Sequence, residues 1–256
     1  MRIAHSHQSF MAETKKQTIE RLISTPITKY CATHLFACGN DAAKWMWGKR
    51  AFERGDVYIM KNAIDAGRFE FSESKREELR KEFGLENKFV IGNVARFSYQ
   101  KNHEFLVKIF AEVKKLRDDA VLMLVGRGEL EDDVKKQVSE LGLDDSVIFM
   151  GVRNDVPELL NAMDVFVLPS RFEGLGIVYI EAQMNGLKCF ASEGLVPEEA
   201  NVTGDMLFLP LKNENEWANK ILDYSLNRCN VDFNKFEEYN IESAARKMQN
   251  KYFTMI

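Results

Sequence analysis

Two short segments carry residue types suited to handling phosphate. In Arg96-Phe97-Ser98-Tyr99-Gln100-Lys101-Asn102-His103, two cations stand five residues apart, one where a strand pattern ends and one just before a helical pattern begins. Side chains so placed could converge on a phosphate-bearing ligand. The plainer alternative is two solvated cations beside a turn. In Pro169-Ser170-Arg171-Phe172-Glu173-Gly174-Leu175-Gly176, two glycines let the backbone come close to a ligand. The helix that follows begins with free N–H groups at the positive end of its dipole, which makes an anion site. Glu173 is expected at the mouth of that site and Glu181 in the second turn of the helix. A carboxylate at 181 could accept two hydroxyl hydrogen bonds from a ribose, or be simply a partly exposed helix residue.

Other chemistries find less support. The phosphate loop GxxxxGK[ST] is missing, which counts against P-loop kinases and ATPases. Gly126-Arg127-Gly128 has no third glycine at the dinucleotide spacing and no acidic residue closing a second strand. These glycines read as tight turns. The acidic cluster Glu129–Asp133 reads as charge that complements a helix dipole. Cys31, Cys38, Cys189 and Cys229 show neither a disulfide framework nor zinc-knuckle spacing, so reduced core or near-surface thiols are expected. Lys+Arg number 35 against 39 Asp+Glu, a net charge of −4 that gives no support to a nucleic-acid partner. No run of 18 apolar residues occurs and the opening MRIAHSHQSF lacks a secretory core, so the expected location is the cytoplasm, at most peripheral to a membrane.

The elements that must position these residues follow from hydrophobic patterning. From about residue 88, short β-branched runs alternate with amphipathic stretches, the signature of repeated βα units. Strands are expected at Phe89–Ala95, Ala120–Val125, Ser146–Phe149, Val165–Leu168, Lys188–Ala191 and Met206–Phe208; helices at Asn102–Leu116, Leu130–Leu141, Val156–Asn161 and Gly176–Asn185. VLMLV and VFVL are apolar throughout, so both faces should be covered, as in a doubly wound parallel α/β sheet. The first 60 residues promise strands at Arg2–His5, Thr33–Ala37 and Val57–Met60. They also promise a helix from the early teens into the twenties and another from Asn40 to about Gly48. That is a thin core, which reads as the tail end of a larger domain and predicts an exposed apolar face. KNAIDAGRF (61–69) is the expected crossing into the second domain, and the region from Glu214 is read as helical, ending in Ile241–Phe253.

Taken together, ARFSYQKNHEFLVKIF and DVFVLPSRFEGLGIVYIEAQMNGLKCFASEG resemble the C-terminal domain of the retaining GT-B glycosyltransferases of family four, particularly those of bacterial capsular and extracellular polysaccharide synthesis. The likeness runs from RIAHSHQS to the last helix. It implies a Rossmann-like nucleotide-sugar domain preceded by a partial second α/β domain. It places Arg96 and Lys101 on the donor's diphosphate and the amides of Gly174, Leu175 and Gly176 around the phosphates or sugar. Glu173 would then face the sugar hydroxyls, Glu181 the ribose, and the backbone near Val152 and Arg153 the base. His7 would approach the transferred sugar, with His5 as its neighbour. No metal or other cofactor is implied, because cations and helix dipoles carry the charge.

The expected organisation is residues 1–62 as the remnant of the acceptor-side domain, 63–240 as the nucleotide-sugar domain, and 241–256 as a helix packing back on the first segment. The resemblance implies a nucleotide sugar and a saccharide or lipid-linked acceptor as partners. It leaves room for peripheral membrane association and for an oligomer formed through the incomplete first segment. A non-catalytic nucleotide-binding remnant or subunit that needs another chain is the alternative, and a nicotinamide oxidoreductase shares the fold class without the motifs.

Overall fold

The computed structural model describes residues 1–7, 15–224 and 228–255. These form two compact units: Met1–Ala66 with Phe172–Leu175 and Asn234–Ile256, and Gly67–Arg171 with Gly176–Phe233.

In the first unit β1 (Ile3–Ser6), β2 (His34–Ala37) and β3 (Val57–Ile59) make a parallel sheet in that order, joined by α1 (Lys15–Cys31), α2 (Asn40–Trp47) and α3 (Lys49–Glu53). The small residues Ala37, Ala42, Ala43 and Ala51 let α2 and α3 lie close to the sheet, around Trp47. The Trp47 indole N–H donates to the Phe36 carbonyl at 2.8 Å, so its one polar atom is satisfied in the core. The helix expected in the twenties runs on to Cys31 with Pro26 inside it. Its expected start in the early teens lies outside the described residues, as do Gln8, Ser9 and Phe10 of the opening motif. Ile19, Leu22, Ile23, Ile27 and Tyr30 are all exposed on α1, Tyr30 at 91%. Their i, i+3, i+4 spacing makes an apolar stripe without cover among the described residues, as the thin core predicts.

The second unit opens with α4 (Glu73–Glu82), which hydrophobic patterning misses. Its sequence ESKREELRKE has no apolar stripe; instead Arg76 and Arg80 both pair with the buried Asp164, and Ser72 Oγ caps the helix by accepting from the Lys75 N–H. Then come β4 (Phe89–Val94), α5 (His103–Leu116), β5 (Ala120–Val125), α6 (Glu131–Glu140), β6 (Val147–Gly151), α7 (Val156–Ala162), β7 (Val165–Leu168), α8 (Ile177–Met184), β8 (Lys188–Ser192), β9 (Leu207–Leu209) and α9 (Glu214–Leu222). All six strands are parallel, in the order β6-β5-β4-β7-β8-β9. Every residue of β5 and β7 is buried, as continuous apolar runs require of strands covered on both faces. The core is built from Phe89, Ile91, Leu106, Phe110, Leu122, Val167 and Phe190, with Trp217 of α9 against it.

Beyond Leu222 the chain departs from the continuous helical reading: residues 228–232 have no regular structure and Phe233–Tyr239 is a 3-10 helix. Asn and Asp in CNVDFN favour local turns over helix. The final helix, α10 (Ile241–Phe253), falls as expected, capped by Asn240 Oδ1, which accepts from the Glu242 and Ser243 N–H groups. It belongs to the first unit, where Ile64 and Asn240 form a parallel bridge.

Candidate functional site

In the sheet of the second unit, the chain winds from β4 outward to β5 and β6, then returns to the other side of β4 with β7. The crevice beyond the carboxyl ends of β4 and β7 is therefore the point where winding reverses, the usual ligand position in an open parallel sheet. Arg96 lies just past β4. Its backbone neighbours are fixed from the β5–α6 turn: the Ala95 N–H donates to Val125 O at 2.9 Å, the Phe97 N–H to Arg127 O at 3.2 Å, and the Leu130 N–H to Phe97 O at 3.1 Å. Gly126 and Gly128 allow this approach. A Cβ at Gly126 would stand 2.1 Å from Ala95 O, and one at Gly128 would stand 2.2 Å from Phe97 O. The exposed Arg96 guanidinium pairs with Glu129 at 3.0 Å. Glu129 is thus a counterion, whereas Glu131, Asp132 and Asp133 fill the first turn of α6 as the dipole argument expects.

Lys101 closes a 3-10 turn, and Asn102, in the left-handed region at φ 57, starts α5. The Asn102 amide donates to Pro169 O at 3.0 Å, and the Asn93 amide, one strand position before the end of β4, donates to Val167 O at 2.7 Å. Both asparagines therefore tie the β4 side of the crevice to the end of β7. Arg171 adds a stronger tie that sequence reasoning missed. Its backbone N–H donates to Gln100 O at 2.7 Å, its guanidinium donates to Tyr99 O at 2.7 Å, and the guanidinium lies 4.2 Å from the Tyr99 ring centroid. The residue lies within the Pro169–Gly176 loop, and a third cation there was the available signal.

His103, also unassigned by the sequence, is 3% exposed; its ring stacks on Phe97 with centroids 4.1 Å apart at 13°. Neither ring nitrogen has a hydrogen-bond partner among the described residues. Burial, with the nearby Lys101 charge, lowers its pKa to about 4, so the imidazole is neutral near pH 7.

Gly176 caps α8 at φ 74, a conformation that favours glycine, and Tyr179 is held by its hydroxyl donating to Leu168 O. Glu181 is half-buried on α8, its carboxyl pKa raised by desolvation, with no partner for it found among the described residues. Val152 is 69% exposed just past Gly151, whose carbonyl accepts from the Gly126 N–H at 2.8 Å. Arg153 pairs with Asp155. Arg96, Lys101, Val152, Arg153, Gly176 and Glu181 thus all stand on the second unit, and each except Glu181 lies in a loop beyond the carboxyl end of a strand.

Glu173, Gly174 and Leu175 segregate with the first unit. Glu173 is 7% exposed, more enclosed than the open mouth that the sequence suggested, and the residue interacts within the protein. His7 is exposed beyond β1, its ring centroid 4.0 Å from that of His5. Burial and the His7 ring lower the pKa of His5. The two imidazoles border a cleft of about 550 Å³ whose walls include Met60, Ala63, Ala244, Met248 and Tyr252. No cluster of His, Cys, Asp and Glu able to hold a metal ion occurs among the described residues.

A doubly wound parallel sheet with cations and a glycine-capped helix at its switch point is a Rossmann-like architecture. Comparison with known proteins names the class more closely. Residues 75–247 match the model of glycosyl transferases group 1, and the chain belongs to that family. It is 33% identical over 198 residues to the putative glycosyltransferase EpsF of Bacillus subtilis, covering 76% of this chain and 52% of the relative. It is 31% identical over 201 residues to the Escherichia coli UDP-Gal:alpha-D-GlcNAc-diphosphoundecaprenol alpha-1,3-galactosyltransferase, covering 74% and 51%. The chain thus spans about half the length of these relatives. Among solved structures, Anabaena Alr3699/HepE in complex with UDP-glucose aligns with a TM-score of 0.82 at 21% identity, over 98% of this chain and 72% of that one, a likeness of GT-B fold. No helix among the described residues is long and apolar enough to cross a membrane.

Proposed function

We propose that the chain is the donor-binding part of a retaining glycosyltransferase. It would move a hexose or N-acetylhexosamine from a nucleoside-diphosphate sugar to a saccharide or lipid-linked acceptor in bacterial polysaccharide synthesis. The observation that carries this reading is the pair Arg96 and Lys101 on a loop tied to the β7 exit through Asn102 and Arg171, at the switch point of the sheet. Cleaving the sugar–phosphate bond leaves a diphosphate with growing negative charge. Cations held in place before the reaction stabilise that charge without reorganising, and the positive end of the α8 dipole adds to them. The family pattern then gives Glu181 to the ribose, the backbone of Val152 and Arg153 to the base, and the amides of Gly174, Leu175 and Gly176 to the phosphates or sugar. Glu173 takes the sugar hydroxyls and His7 the transferred sugar. This chemistry asks for no metal and no other cofactor, since the cationic side chains take the role a bound Mg²⁺ has elsewhere.

Two features of relatives support the acceptor class and the place of work. The Escherichia coli relative is named for a diphosphoundecaprenol acceptor and a Streptococcus pneumoniae relative is an alpha-monoglucosyldiacylglycerol synthase. A lipid-linked acceptor would draw the protein to the cytoplasmic face of a membrane. The bare stripe on α1 supports a second reading, in which turnover needs further polypeptide to cover it, from a partner or a second copy.

The test is thermal stabilisation by UDP, GDP and ADP against NAD, followed by hydrolysis of UDP-sugars. Stabilisation by one of the diphosphates and not by NAD is expected; the opposite outcome would sink the transferase reading. Hydrolysis by the chain alone favours the first reading over the second.

A further inference from the structure

The loop that carries Arg96 and Lys101 rests on a residue whose chemistry the reading above leaves unused. His103 is 3% exposed at the start of α5, flat against Phe97, and Phe97 also stacks with Phe149 at 6.0 Å. A phenyl ring would stack there equally well. An imidazole brings two polar nitrogens, and burying them without partners costs stability. The adjacent Asn102 Oδ1 is likewise buried and without a partner, so three such atoms sit on two consecutive residues directly after Lys101. Buried polar groups that break the rule of satisfaction concentrate where function demands them.

We infer that His103 is a positioning residue for diphosphate binding, its imidazole acting through the Arg96–Lys101 loop and not on the donor itself. The path is short: Phe97, against which His103 stacks, follows Arg96 in the chain, and Lys101 lies two residues before His103. When an anion draws the two cations together, the loop backbone between them shifts over the ring, and a ring nitrogen gains the partner it lacks. The inference rests on the donor reading.

The experiment compares UDP affinity and melting temperature for the unaltered chain, His103→Phe, His103→Gln, Arg96→Ala and the double variant His103→Phe/Arg96→Ala. His103→Phe should melt at the same or a higher temperature, since it removes two unsatisfied nitrogens, yet bind UDP roughly tenfold more weakly. His103→Gln, which keeps a side-chain N–H, should recover part of that loss. In the Arg96→Ala background, His103→Phe should weaken UDP binding little further, because a residue acting through Arg96 has nothing left to position. Unchanged UDP affinity in His103→Phe, a lowered melting temperature that accounts for the loss, or full additivity with Arg96→Ala overturns the inference while leaving the donor reading intact. Failure of the unaltered chain to bind UDP, GDP or ADP overturns both.

Discussion

Adding a single methyl at Gly128 tests the link between packing and binding. A Cβ there would lie 2.2 Å from the Phe97 carbonyl oxygen, 2.6 Å from its nitrogen and 2.7 Å from its carbonyl carbon, all backbone atoms that no rotamer change can clear. Restoring ordinary contact at about 3.5 Å requires the Phe97 backbone, and Arg96 with it, to move by about an ångström. Overpacking of this kind costs about 1–3 kcal/mol, which lowers the melting temperature of a domain this size by about 2–4 °C for each kcal/mol. The functional loss should be larger, since a misplacement of about 1 Å in a prepositioned group can cost on the order of 10²-fold. Gly142→Ala is the control: its φ of 66 imposes a left-handed penalty of about 1–2 kcal/mol, but no atom lies within 4 Å of the added carbon. Calorimetric titration with UDP, paired with thermal melts, should therefore show two variants of similar stability, of which only Gly128→Ala loses affinity. Equal UDP affinity in the two would refute the claim that the glycines of the β5–α6 turn fix Arg96.

Arg96→Ala or Lys101→Ala should lower sugar-nucleotide turnover by on the order of 10²-fold or more, read as hydrolysis or transfer rate. Because Glu129 holds the Arg96 guanidinium at 3.0 Å, Glu129→Gln should tighten UDP binding, most visibly at low ionic strength, and unchanged affinity there would show that the pair does not compete with the ligand. Asp164→Ala leaves the Arg76 and Arg80 guanidiniums without their shared carboxylate and should cost about 3–5 kcal/mol in denaturant unfolding. Desolvation raises the folded-state pKa of Glu181 above its ordinary 4.5, so the native protein holds that proton longer. Its contribution to stability is then fully present below about 4.5 and is lost as pH rises through the raised value. Glu181→Gln should accordingly raise the melting temperature at pH 7, with the gain vanishing in acid, and weaken UDP binding; equal gains at both pH values would refute the desolvation argument.

How much of this was legible depends on what kind of force shaped each part. The apolar runs of β5 and β7 and the segment at Ile241–Phe253 announced themselves because hydrophobic burial leaves a periodic trace. The helix α4 left none, since it is held by Arg76 and Arg80 reaching a carboxylate about 85 residues away, a charge pairing that no local window contains. Arg96 and Lys101 were readable from type and spacing. Their supports were not: Arg171 bonds to Tyr99 and Gln100 across more than 70 residues, and the stack of His103 on Phe97 depends on the left-handed turn at Asn102. The stripe on α1 was foreseen as surplus apolar surface from the thinness of the first core, although its helix extends further than patterning indicated.

The strand order also fixes when the crevice comes into being. β4 meets β5, and β5 meets β6, through short crossovers, but the other neighbour of β4, β7, is aligned with it through Ile91–Val165 and Gly92–Phe166, a separation of some 74 residues. A polypeptide emerging during synthesis could close the first half of the sheet long before the second wall arrived, and pairings so distant along the chain form slowly. Capacity to retain nucleotide should therefore appear late in refolding and serve as a clock for the final strand alignment.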